Sequence, residues 1–158
     1  MKLDPTRPPL RWLLRFPSLL YRAKLGWIFG ERLLQLTVLG RRSGLPRVVV
    51  LEVIGRSTGD LFVASAWGER AEWFRNVAAN PQVQVSVGWR QFEGEVSLLS
   101  KAAAIEVLHA YARAHPWAYR LLIGPFLLGH RPSGTTEELA ALARTLPILV
   151  VRSAAEMR

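Results

Sequence analysis

The chain has no cysteine among its 158 residues, which excludes a disulfide-stapled fold, a thiolate metal site and a cysteine nucleophile. Acidic residues are few as well: 12 Asp and Glu stand against 21 Lys and Arg, and the only aspartates are Asp4 and Asp60. With three scattered histidines, no Gly-x-Ser-x-Gly elbow and no His-Glu-x-x-His pair, hydrolytic and metal-centred readings have no residues to rest on, and no metal is expected. The glycine signatures of dinucleotide and nucleoside-triphosphate folds are missing too, which disfavours a Rossmann architecture. The longest stretch without Asp, Glu, Lys or Arg, residues 76–89, is rich in Asn, Gln and Ser and falls short of the roughly 18 apolar residues of a membrane span. Arg11, Arg15, Arg22 and Lys24 interrupt the apolar N-terminal region and no small-residue cleavage site follows, so a cytoplasmic chain is expected.

What is present is an apolar half (50%), enough for one packed core, and an excess of base that is unevenly placed. Residues 1–47 hold eight Arg and two Lys against Asp4 and Glu31, and so carry +8 of the formal +9 charge. Such a field favours an anionic partner, whether a phosphorylated small molecule, an acidic membrane surface or nucleic acid. Pro8 and Pro9 suit the start of a basic amphipathic helix with Trp12, Phe16, Trp27 and Phe29 on its apolar side, kinked at Pro17 and ending near Gly30. This segment, 1–30, is read as separate from a cofactor-binding unit at 31–158. It is expected either to pack on that unit or to lie on the inner face of the cell membrane.

From Leu33 the pattern turns to strands. Residues 33–39 and 47–54 are β-rich runs joined by Gly40 to Pro46, and the Ser57-Thr58-Gly59-Asp60 turn leads into a third strand, 61–65. Glu69 to Ala79 reads as one short helix with Glu69 and Glu72 in its first turn and Asn80-Pro81 closing it. Val83, Val85 and Val87, then Phe92, Val96 and Leu98, alternate with polar residues as half-buried strands do. Ser100 is placed to cap a helix through Ala114, His115-Pro116 to start another reaching Leu128, and Thr135 with Glu138 to form a capping box for a last helix to Arg144. Residues 146–151 supply a final buried strand. The sum is an α+β fold: about six mostly antiparallel strands in a small barrel with external helices.

Two clusters are candidates for chemistry. Gly40-Arg41-Arg42-Ser43-Gly44-Leu45-Pro46-Arg47 sets three arginines and a hydroxyl around one turn, with glycines that permit close backbone approach. Read from spacing, it is either an anion cradle, since the guanidinium fork suits phosphate, or a solvated hairpin turn. Val63-Ala64-Ser65-Ala66-Trp67-Gly68 puts small residues at a strand end, where a flat ligand can approach backbone, and Trp73, Asn76 and Asn80 share one face of the helix that follows. That face either meets a ligand, with Phe74 and Val77 packed inward, or consists of core aromatics and a C-capping Asn80.

Taken together, the Gly40–Arg47 turn, the Val63-Ala64-Ser65 strand end and the Trp73–Pro81 helix resemble three ordered motifs of the deazaflavin-dependent nitroreductase and quinone reductase family, with Val77 where the family has leucine. The resemblance implies a split β-barrel related to flavin-binding oxidases, holding the deazaflavin coenzyme F-420 with its ring against the barrel and its phosphate in the arginine turn. FMN, which related barrels accept, is the alternative cofactor. Carried over, Arg41, Arg42, Ser43 and Arg47 would grip the phosphate region, Ser65 and Ala66 would line the ring, Asn76 would support the phosphate side, and Val49 and Val50 would neighbour the ring more loosely, with Gly44, Ala64, Trp67 and Trp73 completing the expected cofactor-binding set. The expected activity is hydride transfer to a quinone, nitro or other electron-poor acceptor, with no catalytic base required. The chain departs from the nitroimidazole-activating members beyond Tyr111, where Tyr111, His115 and Tyr119 are the candidates for a substrate pocket. A homodimer is compatible with this reading and nucleic acid is not its expected partner; the reading opposed to it is a non-enzymatic module binding a membrane surface or nucleic acid through the basic helix.

Overall fold

The computed structural model of the chain describes residues 30–120 and 132–155. The expected N-terminal helix, and the reach of the helix after Pro116 toward Leu128, lie outside the described residues. Six strands follow the alternation seen in the sequence: β1 (Leu33–Leu39), β2 (Pro46–Ser57), β3 (Asp60–Ala64), β4 (Gln82–Val87), β5 (Arg90–Leu98) and β6 (Ile148–Ser153). They close into an antiparallel barrel in the order β1-β2-β3-β6-β5-β4, with β4 returning to β1. The split barrel expected from the sequence is therefore what the chain forms.

Period-two patterning decides which side chains fill the barrel. Leu34, Leu36 and Val38 of β1, Leu61 and Val63 of β3, and Val83, Val85 and Val87 of β4 are buried in one cluster with Val96, Leu149 and Val151. From β2, Val49, Leu51 and Val53 join them. Helix α1 (Glu72–Ala79) contributes Val77, Trp73 and Phe74 to the same cluster, so it covers one end of the barrel. A second cluster lies on the outer surface of β2, β3 and β6, where Ile54, Phe62, Ala64 and Ile148 meet α2 (Lys101–Ala114) and α3 (Thr136–Thr145) through Leu108, Tyr111, Leu139 and Leu142.

Three expected elements change. The single helix from Glu69 divides into a 3-10 turn, Gly68–Arg70, and α1, because Ala71 at φ −58°, ψ 131° is extended and serves as the N-cap of α1. Strand β6 begins at Ile148, since Leu146 ends α3 by donating its N–H to the Leu142 carbonyl at 2.8 Å. Strand β2 runs three residues further than its apolar core, to Ser57, with a shift in register between Val53 and Gly55 inside its pairing with β3.

Candidate functional site

The arginine turn is a closed loop. Gly40 N–H donates to the Leu45 carbonyl at 2.9 Å and Gly44 N–H to the Gly40 carbonyl at 2.7 Å. A Cβ on residue 40 would stand 2.7 Å from Ser43 Oγ and 3.3 Å from the Leu45 carbonyl, while Gly44 adopts φ +65°, so the two glycines permit the loop for different reasons, space at one and conformation at the other. Arg42, Ser43, Gly44 and Arg47 are exposed along it.

Arg41 points to α1 instead. Its backbone N–H and its Nη1 both donate to Oδ1 of buried Asn76, at 3.1 and 3.0 Å, and Nη1 lies 2.7 Å from Oε2 of Glu72. The hydrogen bond from Arg41 holds the Glu72 carboxyl below the usual carboxylate range, so Glu72 is ionised at neutral pH. Asn76 is thus the pin that fixes the turn to the helix: an amide on α1 accepts two bonds from one residue of the loop, and the sequence spacing alone could not pair them.

Between this turn, the 3-10 turn and α1 lies a cleft of about 840 Å³. Val38, Val48, Val49, Trp67 and Trp73 give it apolar walls; Arg47, Arg70, Glu72 and Asn76 give it polar ones. Of the residues expected to bind the cofactor, Arg47, Val49, Trp67, Trp73 and Asn76 line it. Arg41 stands behind it, paired as above. Val50 lies on the other face of β2 from Val49, opposite Gln35. Ala64 packs into the outer cluster, and Ser65 is fully buried with Oγ donating to the Gly68 carbonyl at 2.7 Å, so these two shape the strand end. Ala66 is exposed beside Trp67. Asn80 caps α1 and its Oδ1 accepts from Gln82 N–H at 3.2 Å, which makes it a turn residue. Sequence reasoning missed Val48, Arg70 and the cleft-side role of Glu72, whose position in a helical first turn already explained an acid there.

The candidate substrate residues do not join this cleft. Tyr111 and His115 border a smaller one, of about 360 Å³, with Val53, Gly55 and Arg56 at the opposite end of β2. Their rings are 5.3 Å apart, Tyr111 Oη donates to Glu52 Oε1 at 3.2 Å, and burial followed by the Glu52 charge pushes the phenol upward. Tyr119 is buried and donates to Glu138 Oε1 at 3.0 Å. Both phenols thus donate to carboxylates, Tyr111 to one on β2 and Tyr119 to one on α3.

A closed six-stranded antiparallel barrel, with a cleft lined by arginines from a loop and a 3-10 turn and by an aromatic residue of a helix, defines a split-barrel protein. Residues 15–120 match the model of the F-420H(2)-dependent quinone reductase family; the chain belongs to that family, and it is a deazaflavin-dependent reductase that uses coenzyme F-420. Solved structures share the fold. One described as an F-420-H2-dependent reductase, FDR-A, is 20% identical with a TM-score of 0.54, covering 78% of this chain and 96% of its own. A pyridoxamine 5′-phosphate oxidase-related, FMN-binding protein of Nostoc punctiforme is 16% identical with a TM-score of 0.51, covering 96% and 81%. A structure described as a domain-swapped dimer is 18% identical with a TM-score of 0.52, covering 86% and 99%. A comparison with curated proteins finds no match.

The residues present fit F-420. The turn is a cradle that a Cβ at position 40 would fill, its exposed arginines offer charge-assisted donors, and Val48, Val49 and Trp73 offer the apolar and aromatic surface a fused ring needs. Among the described residues no group of His, Cys, Asp and Glu could hold a metal, and no helix is long and apolar enough to cross a membrane.

Proposed function

We propose that the cleft between the arginine turn, Trp67 and α1 is where F-420 is held, and that the acceptor is a quinone or a comparable electron-poor compound. The observation that carries this is the cleft's composition, Arg47 and Arg70 beside apolar Val48, Val49, Trp67 and Trp73, next to an arginine turn that Asn76 pins to α1. Arg42, Ser43, Gly44 and Arg47 would take the phosphate region, and Ala66, Trp67 and Val49 would border the ring. Reduced F-420, when bound, supplies the hydride equivalent. The chain's own residues then have three tasks. Arg47 and Arg70 neutralise the cofactor's charge; Trp67 and Trp73 exclude water from its flat part; the exposed side of Val48 and Trp67, 50% and 46% accessible, gives an apolar acceptor a surface on which to rest. In the free chain Arg41 holds Glu72, the carboxylate bordering the cleft, below the usual carboxylate range, and the acceptor would take its proton from solvent or a nearby hydroxyl.

The test is equilibrium binding of F-420 and FMN side by side, followed by anaerobic mixing of the reduced complex with a water-soluble quinone. Binding of F-420 with rapid reoxidation by the quinone is expected. Binding of FMN alone, or a reduced complex that the quinone leaves unoxidised, overturns the assignment.

A further inference from the structure

Glu72 sits in a cleft whose other charged wall residues are arginines, and the ligand proposed for that cleft is itself anionic, so a carboxylate at this place opposes its own ligand. Its side chain is 72% exposed, with Oε2 2.7 Å from Arg41 Nη1 and Oε1 3.7 Å from Arg75 Nη1. Arg41 has a second acceptor in Asn76 Oδ1 at 3.0 Å, which is buried and also held by the Arg41 backbone N–H. The guanidinium therefore has one fixed partner and one exchangeable partner: Asn76 cannot leave without undoing the turn, whereas Glu72 can rotate into water. Arginine's planar fork favours phosphate oxygens at least as well as a carboxylate.

We propose that Glu72 sets the affinity of the cofactor cleft for phosphate-bearing ligands: its carboxylate occupies the Arg41 donor that a ligand's phosphate would take, and so acts as a built-in competitor that an anionic ligand must displace. The inference rests on the F-420 reading above. On this account Arg41 is the fourth basic residue of the phosphate site, after Arg42, Arg47 and Arg70, and becomes available when Glu72 swings away.

The experiment is fluorescence titration of the full chain and its Glu72→Gln variant with F-420 and with the phosphate-free deazaflavin chromophore, melting curves being recorded to show that both chains are folded. Removing one negative charge at contact distance should tighten F-420 binding about fivefold and leave the chromophore unchanged. Glu72→Ser, which also removes the charge at an exposed position, should shift affinity in the same direction. Unchanged or weaker F-420 binding in both variants, or an equal gain for the chromophore, overturns the proposal. Failure of the unmodified chain to bind either compound would overturn the cofactor assignment and this inference with it; F-420 binding indifferent to Glu72 overturns this one alone.

Discussion

Residue by residue, the three arginines of the turn are alike in sequence and unlike in use. Arg41 is held inward by Asn76 and Glu72, with its side chain 20% exposed, whereas Arg42 and Arg47 face solvent along the loop. Nothing in the order Gly-Arg-Arg-Ser-Gly-Leu-Pro-Arg separates these roles, because the acceptors that select Arg41 lie 31 and 35 residues away. Arg47, at the cleft and not engaged by α1, is the side chain whose loss should report ligand charge most cleanly. Arg47→Ala is expected to weaken F-420 binding about tenfold, the size of one lost charge-assisted hydrogen bond. Its unfolding free energy should stay within about 0.5 kcal/mol of the unmodified chain, as for other exposed substitutions; equilibrium titration and urea unfolding measure the two.

At the scale of the element, the starts of α2 and α3 are legible in the sequence. Ser100 Oγ accepts from Ala103 N–H and Thr135 Oγ1 from Glu138 N–H, both at 3.3 Å, as the spacing predicts. The return half of the Thr135–Glu138 capping box is rerouted: Glu138 accepts from Ser133 N–H at 2.8 Å, Gly134 N–H at 3.4 Å and Tyr119 Oη at 3.0 Å rather than from Thr135. Burial raises the Glu138 pKa, but the Ser133, Tyr119 and Gly134 hydrogen bonds outweigh it and the carboxyl ends below its ordinary range. A folded-state pKa below the unfolded one means that the stabilisation is complete above the unfolded value and is lost as pH falls through the folded one. Glu138→Gln should therefore destabilise the chain by about 1–2 kcal/mol at neutral pH, and the difference should vanish in acid; urea unfolding at a series of pH values checks it. The helix from Glu69 was misjudged for a related reason. Both Glu69 and Glu72 look like first-turn acids, and only the packing of Trp73 and Phe74 on the barrel end decides that α1 starts after Ala71.

For the whole molecule, the barrel was readable because period-two patterning in β1, β4 and β5 requires one buried face, and a closed sheet supplies it. The strand order that closes it is not readable. It depends on β5 meeting β6 across more than fifty residues, and there Gly94 lets the backbones approach: a Cβ at that position would stand 2.7 Å from the Arg152 carbonyl. Gly94→Ala is expected to cost about 1–3 kcal/mol by forcing the two strands apart, with thermal and denaturant unfolding as the readout. Barrel closure also separates Tyr111 and His115, the expected substrate-pocket residues, from Trp73. The chain order places them after the cofactor motifs, but β2 carries one cleft at Arg47–Val49 and the other at Val53–Arg56, so the fold holds the two groups at different ends of a strand. The central claim, that the arginine-turn cleft holds the cofactor, is tested most directly by a crystal structure of the chain with F-420 bound. Density for the cofactor between Arg47, Trp67 and Trp73 is the predicted result; density in the Tyr111–His115 cleft, with the arginine turn empty, would contradict it.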